Sequence, residues 1–536
     1  MVLLEEFRQF LGSVKTSESI SNELRKAISV ETGLEKALAD ALLAGRDVII
    51  AGSAGGGKTH LLGTLADSAP GQLPRFIGWP SEVEPADAPF IRVVSDATAI
   101  PSVARREMFE RRPSNCVAVA IAINEGPLLS LAHEQVDSAY AKAVKILHAA
   151  QRGISLPSDI SAPVILDVGG YDPIENNVIA KLLGLELVRD LVEVQACTCS
   201  NRDTCFRRRA WDLLKSDTVR KKANDLLRVV NMRGQSVLFR DLWDFVADVV
   251  LGGSCQGNPP TSAWFWRMFY GDNTLSERLR EIADPALVIY PRAEAHIWYG
   301  DWKSSELELE PGIELIEIDA ANDLDSERYR WVKSQIFFLV RSASATHVLR
   351  DLVDLQLIKA LETNDVISIV RTLNSYMTYG TILPKETWLE LWTDLGVEKR
   401  TDRPKGQASL GTIPAADLIL QRSLAVANHP DPQQKLYGSR HFLVHRKAAV
   451  DKQASFALSP EVLNLLQGGR SYRTADRPHT DLEWHLGRFF ASLADAAEST
   501  DQLDVMEIDF KSMTGSIGSY RIAKELSRIE PLGRVR

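Results

Sequence analysis

The chain has few cysteines and no excess of positive charge. Its 536 residues include only five cysteines, an odd and sparse set that argues against a disulfide-stabilised scaffold. The formal net charge of −9 excludes a protein that is basic over its whole surface. Nucleic acid would therefore have to bind a local basic patch or be held through a partner.

Long apolar runs are also lacking, and we expect no secretory leader. No apolar run reaches the length that spans a membrane, and the first 13 residues are amphipathic, with acidic and basic side chains among the apolar ones. We therefore expect a cytoplasmic protein without membrane contact. The length predicts three or four domains or subdomains.

Residues 47–66, DVIIAGSAGGGKTHLLGTLA, have the pattern of a phosphate-binding loop between a strand and a helix. The centre of this stretch fits G-x-x-x-x-G-K-[ST], in which glycines let backbone amides surround phosphate oxygens. Lys58 is expected at the β- and γ-phosphates of ATP or GTP, and the Thr59 hydroxyl at Mg²⁺. The predicted nucleotide-binding residues are Gly52, Ser53, Ala54, Gly55, Gly56, Gly57, Lys58, Thr59 and His60.

Three more apolar runs, within residues 90–101, 115–128 and 162–172, end in polar side chains. Apolar strands that alternate with helical segments predict an α/β fold, here a P-loop NTPase core of AAA-like type with a parallel sheet flanked by helices. Ligands of such sheets lie at the carboxyl ends of the strands. The polar residues at those ends are Asp96, Asn124, Glu125 and Asp167.

Each of these strand-end residues has a candidate role in hydrolysis. Asp96 is the first choice for the carboxylate that holds Mg²⁺ together with Thr59, and Asn124 is expected to face the γ-phosphate and its attacking water. Glu125 or Asp167 would be the catalytic base, and the sequence does not rank them. The alternative for each acid is a helix cap or a turn.

A helical lid over the nucleotide is predicted from residue 207 to 248, where apolar positions recur at helical spacing. Arg240 begins the last of these helices and is the candidate for an arginine that senses the nucleotide. A surface arginine is the alternative. One of the arginines among residues 105–112 is a further candidate, as a finger that reaches a neighbouring subunit.

Zinc is an alternative for one cysteine cluster. Cys197, Cys199 and Cys205 lie close in sequence, with Cys255 as a distant fourth thiolate. Structural zinc prefers C-x₂₋₄-C spacing, whereas this cluster begins with Cys-x-Cys and has no histidine beside it. The spacing therefore favours ordinary reduced cysteines.

Two basic runs, residues 202–222 and 435–447, are candidate DNA contacts, with a solvated surface as the alternative. In the second run Tyr437, Phe442 and His445 interleave with the basic residues, which would suit stacking on bases. Residues 306–318 predict an acidic β-hairpin, residues 347–377 predict helices, and residues 400–411 predict a linker.

The expected organisation follows from these boundaries. It comprises a P-loop ATPase core with N-terminal helices at 1–205, a helical lid at 206–255, a mixed α/β middle domain at 256–399 and a C-terminal interaction domain at 400–536.

The order of the motifs GSAGGGKTHLL, SDATAIPS, AIAINEGPLL and VLFRDLWDFVADVVLGG resembles the DptF ATPases of bacterial phosphorothioation-dependent DNA restriction systems. The resemblance covers roughly residues 25–255, and Glu125 stands where the family pattern has leucine. It implies an ATP- and Mg²⁺-dependent subunit that acts with other subunits of a defence complex against foreign DNA, and DNA as a direct or indirect partner. The alternative is a nucleotide-gated scaffold with little turnover, whose occupancy sets a homo-oligomeric state.

Overall fold

The computed structural model describes two long stretches of the chain and several shorter pieces. Described are residues 2–11, 20–194, 215–251 and 361–535, with gaps at 69–70, 72, 81, 102–103, 106–111, 135–137, 155, 157, 175–176, 233–236, 362–364, 381–385, 395–396, 399–402, 405–406, 432, 434–435, 447–454, 468–476, 495–501, 510–513 and 523–528. Within these residues no helix is long and apolar enough to cross a membrane.

The described elements follow one another along the chain. In the first half they are α1 (Val2–Leu11), α2 (Asn22–Ala27), α3 (Leu34–Leu43), β1 (Val48–Ala51), α4 (Lys58–Ser68), β2 (Arg75–Gly78), β3 (Phe90–Val94), β4 (Cys116–Ile123), α5 (Glu125–Glu134), α6 (Ala139–Gln151), β5 (Val164–Asp167), α7 (Val178–Gly184), α8 (Glu186–Val194), α9 (Asp217–Met232) and α10 (Phe239–Leu251).

The second half contributes more strands than helices. Its described elements are α11 (Val366–Met377), β6 (Trp388–Asp394), β7 (Val397–Glu398), β8 (Arg403–Pro404), β9 (Gln407–Pro414), β10 (Leu418–Leu424), β11 (Val426–Ala427), β12 (Tyr437–His445), β13 (Ser455–Leu458), α12 (Pro460–Gln467), α13 (Arg477–Ala494), β14 (Gln502–Asp509), β15 (Thr514–Ile522) and β16 (Ile529–Val535).

These elements form two units. The N-terminal unit contains the described residues of 1–151, 155–348 and 424–439, and the C-terminal unit contains those of 152–154, 349–423 and 440–536. The N-terminal unit thus takes in a short segment, 424–439, that lies far away in sequence. We call this segment the strap.

The N-terminal unit is built on a parallel sheet of the order β5-β1-β4-β3-β2, to which β11 of the strap adds an antiparallel edge strand beside β5. The predicted α/β fold with a parallel sheet flanked by helices is confirmed. β1 is buried along its whole length and β4 at every position but one, as expected of strands covered on both faces. Because β1 lies between β4 and β5, its carboxyl end is in the middle of the sheet, where the strand order changes direction.

The C-terminal unit is dominated by antiparallel strands. Its largest sheet has the order β16-β15-β14-β9-β6, and a second sheet has the order β10-β12-β13. The predicted linker at 400–411 is wrong, because β9 begins within it at Gln407 and pairs with β6 and β14. Gln407 is fully buried, so its polar side chain belongs to the interior of a sheet.

Candidate functional site

The loop between β1 and α4 depends on its glycines. Gly52, Gly55 and Gly57 have φ angles of 143°, 85° and 88°, a region that side chains with a Cβ rarely adopt. Gly52 also approaches the turn after β5 so closely that an added Cβ would lie 2.7 Å from a methyl group of Val168. The loop is therefore held against the end of β5 by contacts that only glycine allows.

Lys58 is buried at the start of α4, and its ammonium group has three oxygen acceptors. Nζ donates to the carbonyl oxygens of Gly52 at 3.0 Å and Ser53 at 2.8 Å, and to Oδ1 of Asn124 at 2.8 Å. Three donors and three acceptors satisfy the ammonium group completely. Burial lowers the pKa of Lys58, and the negative charge of Asp96 opposes this shift.

Asp96 and Thr59 lie on the same side of the loop. Oγ1 of Thr59 donates to the carbonyl oxygen of Ser95 at 3.3 Å, directly before Asp96. Oδ1 of Asp96 accepts from the amide of Thr98 at 2.9 Å and caps a short 3₁₀ turn, as the capping alternative predicts. The second carboxylate oxygen makes no hydrogen bond with the described residues and remains available to a ligand.

Asn124 connects the ends of neighbouring strands. Its side chain accepts from Lys58, and its amide donates to Oγ1 of Thr98 at 3.2 Å. Its carbonyl oxygen accepts from Leu128 in the first turn of α5. Asn124 is therefore fixed between Lys58 and the turn that Asp96 caps.

A cavity of about 320 Å³ opens beside these groups, a volume that falls within the range of small-molecule sites. Its polar end is lined by Ala54, Gly55, Gly56, Gly57, Lys58, Thr59, Ser95, Asp96, Asn124 and Arg240. Of the residues predicted to bind nucleotide, Gly55 to His60 and Ala54 line the cavity. Gly52 and Ser53 support it through their contacts with Lys58.

The other end of the cavity is mainly apolar. Phe10, Ile28, Val30, Leu34, Leu61 and Trp243 line it. Phe10 and Trp243 meet edge to face with ring centroids 5.6 Å apart, which joins α1 to α10. Sequence reasoning missed this end, although the amphipathic pattern of α1 showed that one of its faces must be buried.

His60 also lines the cavity. One ring nitrogen is 3.0 Å from Oγ of Ser29. Burial and the nearby positive charge of Arg25 lower the pKa of His60 to about 4. The imidazole is therefore neutral at pH 7, so it contributes a hydrogen-bonding group and no charge.

Arg240 lies against the loop, on the first turn of α10. Its amide donates to the carbonyl oxygen of Gly55 at 3.3 Å, and a Cβ added to Gly55 would lie 3.2 Å from its Nε. That Nε is buried and has no hydrogen-bond partner among the described residues. A buried guanidinium nitrogen without a partner among the described residues, beside a cavity, is a candidate donor to an anion.

Glu125 and Asp167 do not line the cavity. They share a partner that sequence reasoning missed, since Nε2 of Gln151 lies 3.3 Å from both Oε1 of Glu125 and Oδ2 of Asp167. Oδ1 of Asp167 accepts from the amides of Gly169 and Gly170 and shapes the turn after β5.

The environment of Asp167 disfavours its charge. Only 4% of the residue is exposed, and burial raises the pKa of this carboxyl group. Hydrogen bonds from Gly170 and Gln151 oppose the shift, whereas the nearby Glu125 adds to it. Asp167 thus has the position of a turn-forming group beneath the loop.

Several other predicted site residues lie elsewhere. Arg112 pairs with Asp47 at 2.7 Å, before the amino end of β1 and so at the opposite edge of the sheet from the loop. In the second basic run Phe442 and His445 are buried, so the predicted stacking of these two side chains on bases is wrong. Tyr437 remains exposed.

The remaining predictions fall wholly or partly outside the described residues. They are the cysteine cluster of 197–205, Cys255, the predicted hairpin of 306–318 and most of the first basic run.

Among the described residues no group of three or more histidine, cysteine or acidic side chains is placed to hold a metal. One hydroxyl and one carboxylate are nevertheless enough protein ligands for Mg²⁺ beside phosphates. The ion keeps several water ligands and takes further oxygens from the substrate. Thr59 and Asp96 therefore fit that ion.

A comparison with known proteins finds no family model, no curated protein and no solved structure that matches this chain.

Proposed function

We propose that the N-terminal unit is a P-loop NTPase core that binds Mg·ATP and hydrolyses it. The observation that carries this proposal is the convergence of Lys58, Asn124 and Arg240 on one cavity at the carboxyl ends of the central strands. Arg240 follows Lys58 by 182 positions in the sequence. A phosphate chain bound there would meet two cationic groups and the amides of a glycine loop.

The residues divide the chemistry between them. Lys58 would release a carbonyl oxygen and donate to phosphate oxygens, while Asn124 would hold its ammonium group in place and face the γ-phosphate and its attacking water. Thr59 and Asp96 would hold Mg²⁺, which supplies positive charge to the phosphates when bound. The apolar end of the cavity suits a nucleobase, and Trp243 and Phe10 provide flat surfaces for it.

The wider role rests on the motif order. We propose that the chain works in the cytoplasm as a subunit of a bacterial defence complex against foreign DNA. Nucleotide state would control the engagement of DNA or the activation of a partner protein. The support is the resemblance of residues 25–255 to the DptF ATPases.

The test is ATP turnover by the full-length chain, with and without double-stranded DNA, and with Lys58→Ala as the inactive form. We expect turnover that DNA stimulates, and loss of turnover in Lys58→Ala on the order of 100-fold or more. Turnover by Lys58→Ala at the wild-type rate would remove the loop from the mechanism. Wild-type turnover that DNA leaves unchanged would remove direct DNA coupling from the proposal.

One observation favours a second candidate function. Among the described acidic residues, Asp96 and Glu35 line the cavity, whereas Glu125 and Asp167 do not. Glu35 already accepts hydrogen bonds from the amide and the hydroxyl of Thr32. Without a carboxylate to activate water, hydrolysis is slow. The chain would then be a nucleotide-gated scaffold that controls oligomer assembly. Stoichiometric ATP binding with nucleotide-dependent size in solution, but without multiple turnovers, would favour this alternative.

A further inference from the structure

Tyr171 meets three separate parts of the N-terminal unit. It lies four residues beyond the end of β5 and is 3% exposed. Its hydroxyl donates to the carbonyl oxygen of Thr32 at 3.0 Å, and its backbone forms an isolated bridge with Gly438 of the strap. Its ring is stacked on Phe239, with centroids 5.9 Å apart and planes 12° from parallel.

Phe239 brings this tyrosine into contact with the candidate nucleotide site. It precedes Arg240 at the start of α10, and a Cβ added to Gly57 would lie 3.6 Å from its ring. Phe239, Arg240 and Thr32 all line the cavity. A shift of the first turn of α10 that brings Arg240 towards a bound phosphate would also move Phe239, whose ring is stacked on Tyr171.

The strap is tied to the rest of the N-terminal unit at several points. Nδ2 of Asn428 donates to the carbonyl oxygens of Ala162 and Pro163, and a ring nitrogen of His429 lies 3.1 Å from the carbonyl oxygen of Ala37. The amide of Asp167 donates to the carbonyl oxygen of Ala425. The strap thus occupies the edge of the sheet next to the turn that supports the loop.

Chain connectivity gives the strap its significance. Residues directly before it form β10 and residues at its end continue through β12, and these two strands are neighbours in one sheet. The strap is therefore covalently continuous with both of these strands.

We propose that Tyr171 is a positioning residue that couples the nucleotide held at the loop to the strap, and through the strap to the strands of the C-terminal unit. The inference rests on the proposed function. ATP draws Arg240 towards the γ-phosphate, whereas ADP leaves it without that partner, so the Phe239–Tyr171 stack differs between the two states. The altered position of Tyr171 reaches Gly438 of the strap through the backbone bridge between these two residues.

The test is hydrogen exchange of the full-length chain, measured by mass spectrometry with saturating Mg·ADP and with Mg·ATPγS. We expect peptides of the strap to exchange at rates that differ between the two nucleotides by about fivefold or more. Tyr171→Leu and Phe239→Leu, which remove the stack from opposite sides, should abolish this difference. Tyr171→Phe keeps the ring and should retain at least half of the difference in exchange rate between the two nucleotides.

Tyr140 supplies the matched control. It is also buried, and its hydroxyl donates to the carbonyl oxygen of Arg105 at 2.6 Å. Tyr140→Phe and Tyr140→Leu should lower the thermal midpoint but keep the difference between ADP and ATPγS in the strap. This separates coupling from simple loss of core packing.

Protection of residues 52–60 in the same samples reports nucleotide binding. A wild type that shows this protection, but no difference in the strap, overturns the coupling and leaves the proposed function intact. A response in Tyr171→Leu and Phe239→Leu equal to that of the wild type overturns it as well. A wild type without protection of residues 52–60 overturns the proposed function itself, and the coupling with it.

Discussion

Two groups of polar side chains follow the strands of the same parallel sheet, but they have different surroundings. Lys58, Asp96 and Asn124 face a cavity, and Asp96 keeps a carboxylate oxygen without a hydrogen bond to the described residues. Glu125 and Asp167 instead share the amide of Gln151 and do not line the cavity. The end of a strand predicts the edge of the sheet at which a residue lies, whereas the direction of its side chain depends on the turn that follows.

The largest expected difference between the two groups appears when one acid from each is neutralised. Asp96→Asn should lower ATP turnover on the order of 100-fold, because it weakens the placement of Mg²⁺ in the transition state. Asp167→Asn should change turnover by less than about threefold, because the carboxyl group does not touch the cavity. Steady-state turnover of the two variants is compared after circular dichroism has shown that both are folded. A silent Asp96→Asn beside an inactive Asp167→Asn would reverse our assignment.

A smaller effect is expected at Arg240. Arg240→Ala should weaken ATP binding by at least about tenfold, since a charge-assisted hydrogen bond to phosphate is worth roughly 1.5–3 kcal/mol. ADP affinity should stay nearly unchanged. Paired calorimetric titrations with ATP and ADP measure both quantities.

The control for that experiment is Arg189→Ala, because Arg189 is half-exposed on α8 and, among the described residues, pairs with Glu186 and Asp190 of its own helix. Equal losses of ATP and ADP affinity in Arg240→Ala would show that Arg240 supports the fold of the site and does not sense the γ-phosphate. No loss at all would make it a surface arginine.

The smallest expected effect is a difference in the pH dependence of stability between the wild type and Asp167→Asn. Burial raises the pKa of Asp167 above its ordinary value of 3.8, so the folded chain holds this proton more firmly than the unfolded chain does. The contribution of this group to stability therefore falls as pH rises from about 4 through its folded-state pKa. Asp167→Asn cannot ionise and should lose less stability than the wild type as the pH rises from about 4 to about 7.5. Urea unfolding at the two pH values tests this, and equal losses would contradict the raised pKa.

The sequence predicted the sheet and the polar end of the site because both depend on local patterns. Apolar runs that alternate with helical spacing specify parallel strands, and the glycine loop requires backbone angles that few other residues adopt. Arg240 was also found, although by analogy with the position of lid arginines and not by a local pattern. Its contact with Gly55 depends on the tertiary structure and cannot be deduced from the spacing of residues in the sequence.

What the sequence did not reveal depends on distant pairing. Gln151 ends a helix with no unusual pattern, and only the fold brings it between two acids. The strap joins the sheet from more than 250 residues away, since β11 pairs with β5. The polar stretch at 400–411 looks like a linker by composition, yet pairing with two other strands makes part of it a sheet interior.

The most direct measurement of the central claim is equilibrium binding of Mg·ATP to the full-length wild type and to Lys58→Ala, with Lys142→Ala as the control. Lys142 donates to Ser161 on the exposed surface and does not line the cavity. We expect saturable binding of one ATP by the wild type and by Lys142→Ala, and affinity reduced at least about tenfold in Lys58→Ala. Absence of saturable binding by a folded wild type, or equal affinity in Lys58→Ala, would contradict the account.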